Sequence, residues 1–346
     1  MNHCTIVSPS GNFYGSEQVL FDFLTHTNEV FTVFVPAASL FQQRLEQARL
    51  PHRIKSFNPG RLPRFYALIF LRLAFGKTRT LYINEAGHSK YAVLLSRWLP
   101  KKKFVVHVRM NEDTDPSRWP SVALPNVRLI AISRFIENKL PLPAVCITDP
   151  YQFDDRPLRR QKADPSKLTI GIIGRITVTK GLNKLLQLMD CAREKGFAGH
   201  LVFRLFGDIS GTPEDREMVD RLKALPNVSF EGFVAGKAEI YERVDCVLHL
   251  SVVEALGRIF FEAIDFGKPF VGFDAAGIGE IGRLTGLSHN LVAPDEDWQN
   301  TMVERLAALD ADYSAAVEEV ERKKEACRDL FSMERYVNHL NEIIGG

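Results

Sequence analysis

The sequence predicts an α/β chain of two doubly wound domains with a cleft between them, and three observations predict it. Short apolar, β-branched runs alternate with longer helical patterns, which implies parallel strands joined by crossover helices. The alternation is interrupted by the polar stretch DDRPLRRQKADPSK (154–167), which carries two prolines and no apolar periodicity, and then restarts. The length, 346 residues, is long for one domain and comfortable for two. The reading is an N-terminal domain over 1–160 and a C-terminal domain over 161–346. The final helix, near 332–346, is a candidate to pack back on the first domain.

The elements follow in order. Strands are expected at CTIVS (4–8), VFTVFVP (30–36), TLYIN (80–84), FVVHV (104–108), RLIAIS (128–133) and VCITD (145–149), with helices such as SEQVLFDFLTHT (16–27) and RFIENKL (134–140) between them. Beyond the interruption come the strand LTIGIIG (168–174), a helix over 181–196, the strand LVFRLFG (201–207) and a helix over 214–225. NVSFEGF (227–233), DCVLHLS (245–251), a helix from about Gly257, and PFVGF (269–273) complete the repeat. An amphipathic helical stretch over roughly 302–343, in one or two pieces, closes the chain. Ligands of such sheets bind beyond the carboxyl ends of the strands.

Charge is divided unevenly. Residues 1–160 hold 22 Lys and Arg against 12 Asp and Glu, whereas 161–346 hold 22 against 30, although the whole chain is only +2. The first half is therefore expected to face something anionic. No nucleic-acid-binding module is present, so nucleic acid is not the expected partner. The five cysteines are odd in number and widely spaced, with no C-x-x-C, which fits buried thiols in a reducing cytosol. The histidines show no ligand spacing, so no metal site is expected. MNHCTIVSPSG lacks a basic segment ahead of a long apolar one and reads as a first strand, not a secretory leader. The nearest approach to a membrane span, FYALIFLRLAF (65–75), is too short and is interrupted by Arg72.

Two loops carry the chemistry. Strand 168–173 runs into GRITVTKGLNKLL, which sets Gly174 and Arg175 at the strand end and Lys180 and Gly181 at the start of the next helix. A cation on each side of a strand-to-helix turn makes an anion site suited to a diphosphate, with Arg as a fork and Lys as a point charge. A solvated loop with ordinary basic residues is the plain alternative. The loop is not a Walker A motif, and no G-x-G-x-x-G follows either first strand; Gly11 and Gly15 in SPSGNFYGSEQ have the wrong spacing, which weakens an oxidoreductase reading. The second loop lies in SVVEALGRIFFEAIDFGKPFVGF (251–273), where Glu254 precedes a helix and Glu262 lies within it. Amides of Ala255, Leu256 and Gly257 at that helix start offer a second anion site. Glu262 has the chemistry to accept two hydroxyl donors, as from a ribose; the alternative is one capping and one exposed glutamate.

Together these features resemble the retaining glycosyltransferases of family 4. The resemblance rests on Gly174-Arg175 with Lys180-Gly181, NVSFEGFV, the S-x-x-E-A-L-G-R-I-F-F-E-A run, G-K-P-F-V and G-I-G-E, with YGSEQVL (14–20) similar to the family's first loop and helix. It implies the GT-B fold: two doubly wound Rossmann-like domains with an interdomain cleft, the first for acceptor and the second for a nucleotide-diphosphate sugar. It implies that Glu262 holds the ribose, Glu254 lies against the donor sugar, and Arg175 and Lys180 hold the diphosphate. Ala255, Leu256 and Gly257 would touch sugar and phosphate, Gly207 and Phe233 would border the base, Gly15 would belong to the first loop, and His107 would face the donor sugar. Glu254, His107, Arg175 and Lys180 are the expected catalytic set, with no metal and no further cofactor. His249 is read as structural, and a satisfied core histidine remains the alternative for His107.

The sequence departs from the family pattern at Ala255 and Leu256, where larger residues are usual, at TDPYQF (148–153), and at Tyr14 before Gly15. The expected activity is retaining, metal-independent transfer to a glycan or glycolipid acceptor in bacterial cell-surface polysaccharide synthesis. A nucleotide-sugar epimerase or phosphorylase on the same fold, or a catalytically idle binding protein, are the alternatives. Arg61, Arg64, Arg72 and Arg79 would share one face of a continuous helix, with Lys101, Lys102 and Lys103 nearby. These residues suggest a cytoplasmic enzyme peripheral on the anionic inner face of the cell membrane.

Overall fold

Parallel pairing runs through both sheets of the computed structural model, which describes residues 3–156 and 159–345. The chain divides into two units, Met1–Gln152 with Leu330–Gly346, and Phe153–Asp329.

The first unit begins with β1 (Cys4–Val7), α1 (Gly15–His26), β2 (Thr32–Pro36), α2 (Leu40–Ala48) and β3 (Arg53–Phe57). It continues through α3 (Leu62–Phe75), β4 (Thr80–Ile83), α4 (Ser89–Trp98), β5 (Lys103–Val108), β6 (Val127–Ala131), α5 (Arg134–Lys139) and β7 (Ala144–Cys146). Strand order is β3-β2-β1-β4-β5-β6-β7, so the winding reverses between β1 and β4. Every residue of β1 and β4 is buried, as helices on both faces of a parallel sheet require. The edge strand β3, RIKSF, is mostly exposed or half-buried and carries no apolar run, which hid it from sequence reasoning.

The basic face expected over 61–79 does not form. Helix α3 ends at Phe75, so Arg79 lies beyond it. Arg72 turns inward and donates from Nε to Thr5 Oγ1 (3.1 Å) and from Nη2 to Thr32 Oγ1 (2.7 Å). Phe65, Tyr66, Ile69 and Leu73 bury the inner face, and the 3.6-residue period leaves Arg64, Leu68, Leu71 and Phe75 outward, with Phe75 85% exposed.

The second unit contains β8 (Leu168–Ile173), α6 (Leu182–Glu194), β9 (Leu201–Phe206), α7 (Pro213–Lys223), β10 (Val228–Gly232) and α8 (Lys237–Glu242). It continues with β11 (Cys246–His249), α9 (Arg258–Asp265), β12 (Phe270–Phe273), α10 (Ala276–Thr285), β13 (Leu291–Val292), α11 (Trp298–Ala311) and α12 (Tyr313–Leu330). Strand order is β10-β9-β8-β11-β12-β13, with the reversal between β8 and β11. Leu185, Leu188, Phe203, Leu248, Met302 and Leu306 lie in its core, between sheet and helices.

The stretch read as a linker includes residues 157 and 158, which lie outside the described residues. Its described part packs on the second unit. Phe153 meets Phe261 edge-to-face at 6.5 Å, Asp154 N donates to Asp265 Oδ1 (2.8 Å), and Arg159 pairs with the fully buried Asp245 (2.6 Å). Its polarity thus supplies partners for buried carboxylates. The helical stretch over 302–343 is three helices: α11, α12 and α13 (Met333–Gly345). The last belongs to the first unit, where Tyr336, Val337, Leu340 and Ile344 join the core formed by Val19, Leu20 and Phe23. Each such apolar side chain contributes about 1.5–3 kcal/mol when fully buried.

Candidate functional site

The loops that follow β8 and β11 leave the second unit's sheet at its reversal, where the two strands are neighbours. Gly181 fixes their closeness. A Cβ there would lie 2.4 Å from Leu250 O, and its φ of +92° lies in the left-handed region, which favours glycine. After Gly181, α6 starts with Leu182 buried. Arg175 is exposed and makes no ion pair among the described residues. Lys180 crosses to the second loop and places Nζ 2.5 Å from Glu254 Oε2.

The first loop is held from behind by Asp215, a residue the sequence reading missed. Its carboxylate accepts from Val178 N (2.7 Å) and Thr212 Oγ1 (2.5 Å), and the Thr212 hydroxyl leads the bonds that hold it down at about 2. The Thr-x-x-Asp spacing at the start of α7 was the available signal.

Glu254 is the centre of the second loop. His249 Nε2 stands 3.5 Å from the same carboxylate oxygen that Lys180 reaches. Burial alone would raise the Glu254 carboxyl; His249 and the Lys180 ammonium outweigh it and hold it at about 2. Glu254 is therefore an anion at neutral pH, and its backbone carbonyl is anchored by Gly277 N (2.8 Å). Gly257 ends the loop at φ +83°, where a Cβ would lie 2.2 Å from Ile278 Cδ1. Leu256 is buried, Ala255 is half-buried, and α9 begins at the next residue, Arg258.

Glu262 is half-buried on α9. Its Oε1 accepts from Lys237 Nζ (2.6 Å) and its Oε2 from Tyr241 OH (3.3 Å), both on α8. Lys237 is largely exposed and can swing away, whereas Tyr241 is buried, so the carboxylate has one exchangeable partner and one fixed one. Gly174 N donates to Phe206 O and Gly207 N to Gly232 O, which draws the ends of β8, β9 and β10 together. Phe233, just past β10, is 71% exposed, an apolar surface without cover within its unit.

His107 and Gly15 belong to the first unit. His107 is fully buried, with Nδ1 3.0 Å from Tyr82 OH and 3.2 Å from Arg109 Nη2. Burial and the Arg109 charge hold it well below the usual histidine range. The guanidinium can only donate, so Nδ1 accepts and the ring proton sits on Nε2, which has no partner among the described residues. Arg109 pairs with Asp149 at 2.5 Å and donates to Tyr336 OH (3.2 Å) on α13.

Gly15 opens α1, where Glu17 turns back to accept from Tyr14 N (3.1 Å). The Ser16 hydroxyl lies within reach of both Glu17 and Glu85. One hydroxyl hydrogen serves only one of them, so the pair is best satisfied with a proton on a carboxyl. Burial first, then the Glu17 charge, pushes Glu85 up to about 7. The folded chain thus keeps a proton that the unfolded chain loses near the ordinary carboxyl value. Stability contributed below that value is lost as pH rises towards about 7. Glu85→Gln is expected to remove this loss and to raise the melting temperature at pH 8 relative to wild type. Melting curves from pH 5 to 8 check it; parallel curves for the two proteins would refute it.

Residues 167–312 match the family model described as glycosyl transferases group 1. Among curated proteins, the chain is 26% identical over 242 residues to the sulfoquinovosyl transferase SQD2 of Arabidopsis thaliana, covering 67% of this chain and 44% of that one. It is 32% identical over 120 residues to an uncharacterized glycosyltransferase of Methanocaldococcus jannaschii, covering 34% and 30%. The chain thus spans less than half the length of these curated relatives. Among solved structures, Anabaena HepE in complex with UDP and glucose superposes with a TM-score of 0.72 at 18% identity over 99% of both chains. The lipopolysaccharide outer core galactosyltransferase WaaB gives 0.69 at 14% identity, over 99% of this chain and 98% of that one. These likenesses establish the fold class, two parallel-sheet Rossmann-like units as in proteins of the GT-B fold.

Proposed function

We propose, from the match of residues 167–312 to the group 1 glycosyl transferases, that this chain moves a sugar from a nucleotide-diphosphate sugar to a glycan or lipid-linked acceptor. The observation that carries the reading is the pairing of two loops at the reversal of the second sheet: Arg175 and Lys180 on one, Glu254 on the other, with Glu262 in the helix that follows. Arg175 and Lys180 take the diphosphate, Glu254 and the 255–257 segment take the donor sugar, and Glu262 takes the ribose hydroxyls. Gly174 opens the diphosphate loop beside Arg175, and Gly207 and Phe233 border the base.

In this reading the acceptor hydroxyl attacks the anomeric carbon from the face of the leaving group, so configuration is retained. The bond to the diphosphate breaks as the new glycosidic bond forms, and the acceptor proton passes to the departing phosphate oxygen. Arg175 and Lys180 stabilise the charge that develops there, work that a divalent metal would otherwise do, so transfer is proposed to proceed in excess chelator. Glu254, ionised and held by Lys180 and His249, orients the sugar. His107 is proposed to serve the donor side through its unpartnered Nε2–H.

The functional test offers a panel of nucleotide sugars, with glycan and lipid-linked acceptors, and follows nucleotide release and product configuration by NMR. Acceptor-dependent release with a retained anomeric centre supports the proposal. An epimerised donor without transfer, or binding without turnover, would replace it. Glu262→Ala is expected to weaken binding of the cognate nucleoside diphosphate roughly 10- to 150-fold, from the loss of about 1.5–3 kcal/mol in bonds to a charged group. Calorimetry returning wild-type affinity would remove Glu262 from the ribose role.

The acceptor side is proposed to work at an anionic membrane surface, as a cytoplasmic protein peripheral on the inner face of the membrane, in cell-surface polysaccharide synthesis of the bacterial kind. Among the described residues no helix is long and apolar enough to cross a membrane. The outward face of α3 supports surface binding, with Arg64 beside exposed Leu68, Leu71 and Phe75. Co-sedimentation with anionic vesicles is expected to exceed that with neutral ones and to fall as salt screens charges beyond about 8 Å. Equal binding to both lipids would dismiss the electrostatic part.

A further inference from the structure

A pocket of about 230 Å³ opens in the first unit, lined by His3, Thr32, Arg53, Arg72, Lys77 and Thr78 among others. Thr32 and Arg53 are the first residues of β2 and β3, while His3 and Thr78 lie just before β1 and β4. The strands are parallel, so the pocket sits at the amino-terminal edge of the sheet, opposite the edge that carries Gly15 and Glu85.

Among the described residues, three cations line this pocket and no carboxylate does. Arg72 is half-buried, and its bonds to Thr5 and Thr32 use two of its five donor hydrogens and fix the plane of the guanidinium. Both partners are neutral. The buried Arg109, by contrast, has Asp149, and Arg118 has the buried Asp113. Burial, then the nearby Arg53 charge, lowers the Arg72 pKa, the direction expected where like charges meet without a counter-charge. Arg53 and Lys77 are exposed and make no ion pair among the described residues. A preset arginine fork, a second arginine and a lysine point charge around a cavity form the donor set that phosphate oxygens match, and a single carboxylate would leave most of the positive charge uncompensated.

We propose that this pocket is a phosphate-binding site, taking a phosphate group between Arg72, Arg53 and Lys77. The site is independent of the transfer reaction and stands or falls without it. The phosphate belongs either to a soluble compound or to a lipid headgroup, and the two sources are separable.

The test titrates inorganic phosphate into the full chain and reads the melting temperature, because a ligand that binds the folded state raises it. Three proteins are compared: wild type, Arg53→Ala/Lys77→Ala, and Arg175→Ala/Lys180→Ala. The first pair of substitutions alters exposed side chains and is expected to leave the melting temperature in phosphate-free buffer unchanged. It should lower phosphate affinity roughly tenfold or more, since contacts to charged groups are lost. The second pair should leave most of the stabilisation in place. No stabilisation of wild type, or equal stabilisation in Arg53→Ala/Lys77→Ala, would overturn the site; loss only in Arg175→Ala/Lys180→Ala would assign the phosphate to the second unit and overturn it as well. A parallel arm uses vesicles of phosphatidic acid or phosphatidylcholine. Phosphatidic-acid binding that Arg53→Ala/Lys77→Ala abolishes and free phosphate competes away identifies a lipid source. Phosphate binding with vesicle sedimentation unchanged by the substitutions identifies a soluble one.

Discussion

Arg175→Ala/Lys180→Ala is expected to lower turnover roughly 10²–10³-fold or more, the range for removing a preorganised group that meets developing charge. The two single variants should differ in character. Arg175 is exposed and has no ion pair to lose among the described residues, so its removal should change stability by no more than about 0.5 kcal/mol and act on the reaction alone. Lys180 is also the partner of Glu254. Removing it takes a cation from a carboxylate that His249 then holds alone, so this variant should also raise the pH at which Glu254 protonates. Steady-state rates against pH separate the two effects: Arg175→Ala lowers the profile uniformly, while Lys180→Ala lowers it and moves its acid limb upward. Near-normal transfer by the double variant would remove both residues from the leaving-group role, and strict dependence on added divalent metal would show that the charge is carried otherwise.

The second large effect lies in the first unit. Asp149→Ala should cost about 3–5 kcal/mol of stability, because among the described residues it leaves the Arg109 guanidinium buried with neutral hydrogen-bond partners. For a unit of this size that corresponds to a fall of roughly 6–20 °C in melting temperature, at about 2–4 °C per kcal/mol. The cost comes from an uncompensated buried charge and not from the pair itself. Asp149→Leu/Arg109→Met is therefore expected to recover much of the loss, since apolar residues of similar volume often replace a buried pair without penalty. Denaturant melts of the three proteins check this. A single variant costing less than about 1 kcal/mol, or a double variant no better than the single, would contradict the assignment of Arg109 as a buried charge that depends on Asp149.

Much of the fold was legible in the sequence for one reason. Central strands of a parallel sheet are covered on both faces and read as continuous apolar runs, as TIV at 5–7 and LYI at 81–83 do. Edge strands escape that rule. RIKSF at β3 has one neighbour and an open side, and LV at β13 is two residues long, so neither left a pattern to find. The inward turn of Arg72 was equally hidden. Helical spacing places a side chain on a face, but only the threonines at the start of the neighbouring strands decide that a guanidinium goes under the helix and not outward.

By itself the sequence determined that two doubly wound units follow one another and that two basic residues and two glutamates stand at strand ends, because strand, turn and helix signals are local and survive in one dimension. Only the tertiary structure decided what those residues touch. Lys180 reaches Glu254 because Gly181 lets the two loops pass within contact of Leu250, 69 positions further along the chain. His249 comes within 3.5 Å of Glu254 because β11 ends beside the loop it feeds, Glu262 is held by a lysine and a tyrosine from α8, and Asp215 supports the first loop from α7. The last helix joins the first unit because its apolar stripe finds cover against α1. Each of these is a contact between segments distant in sequence, set by strand order and by which surface has an apolar face or a buried charge left to satisfy, and neither quantity is written in any local stretch of residues.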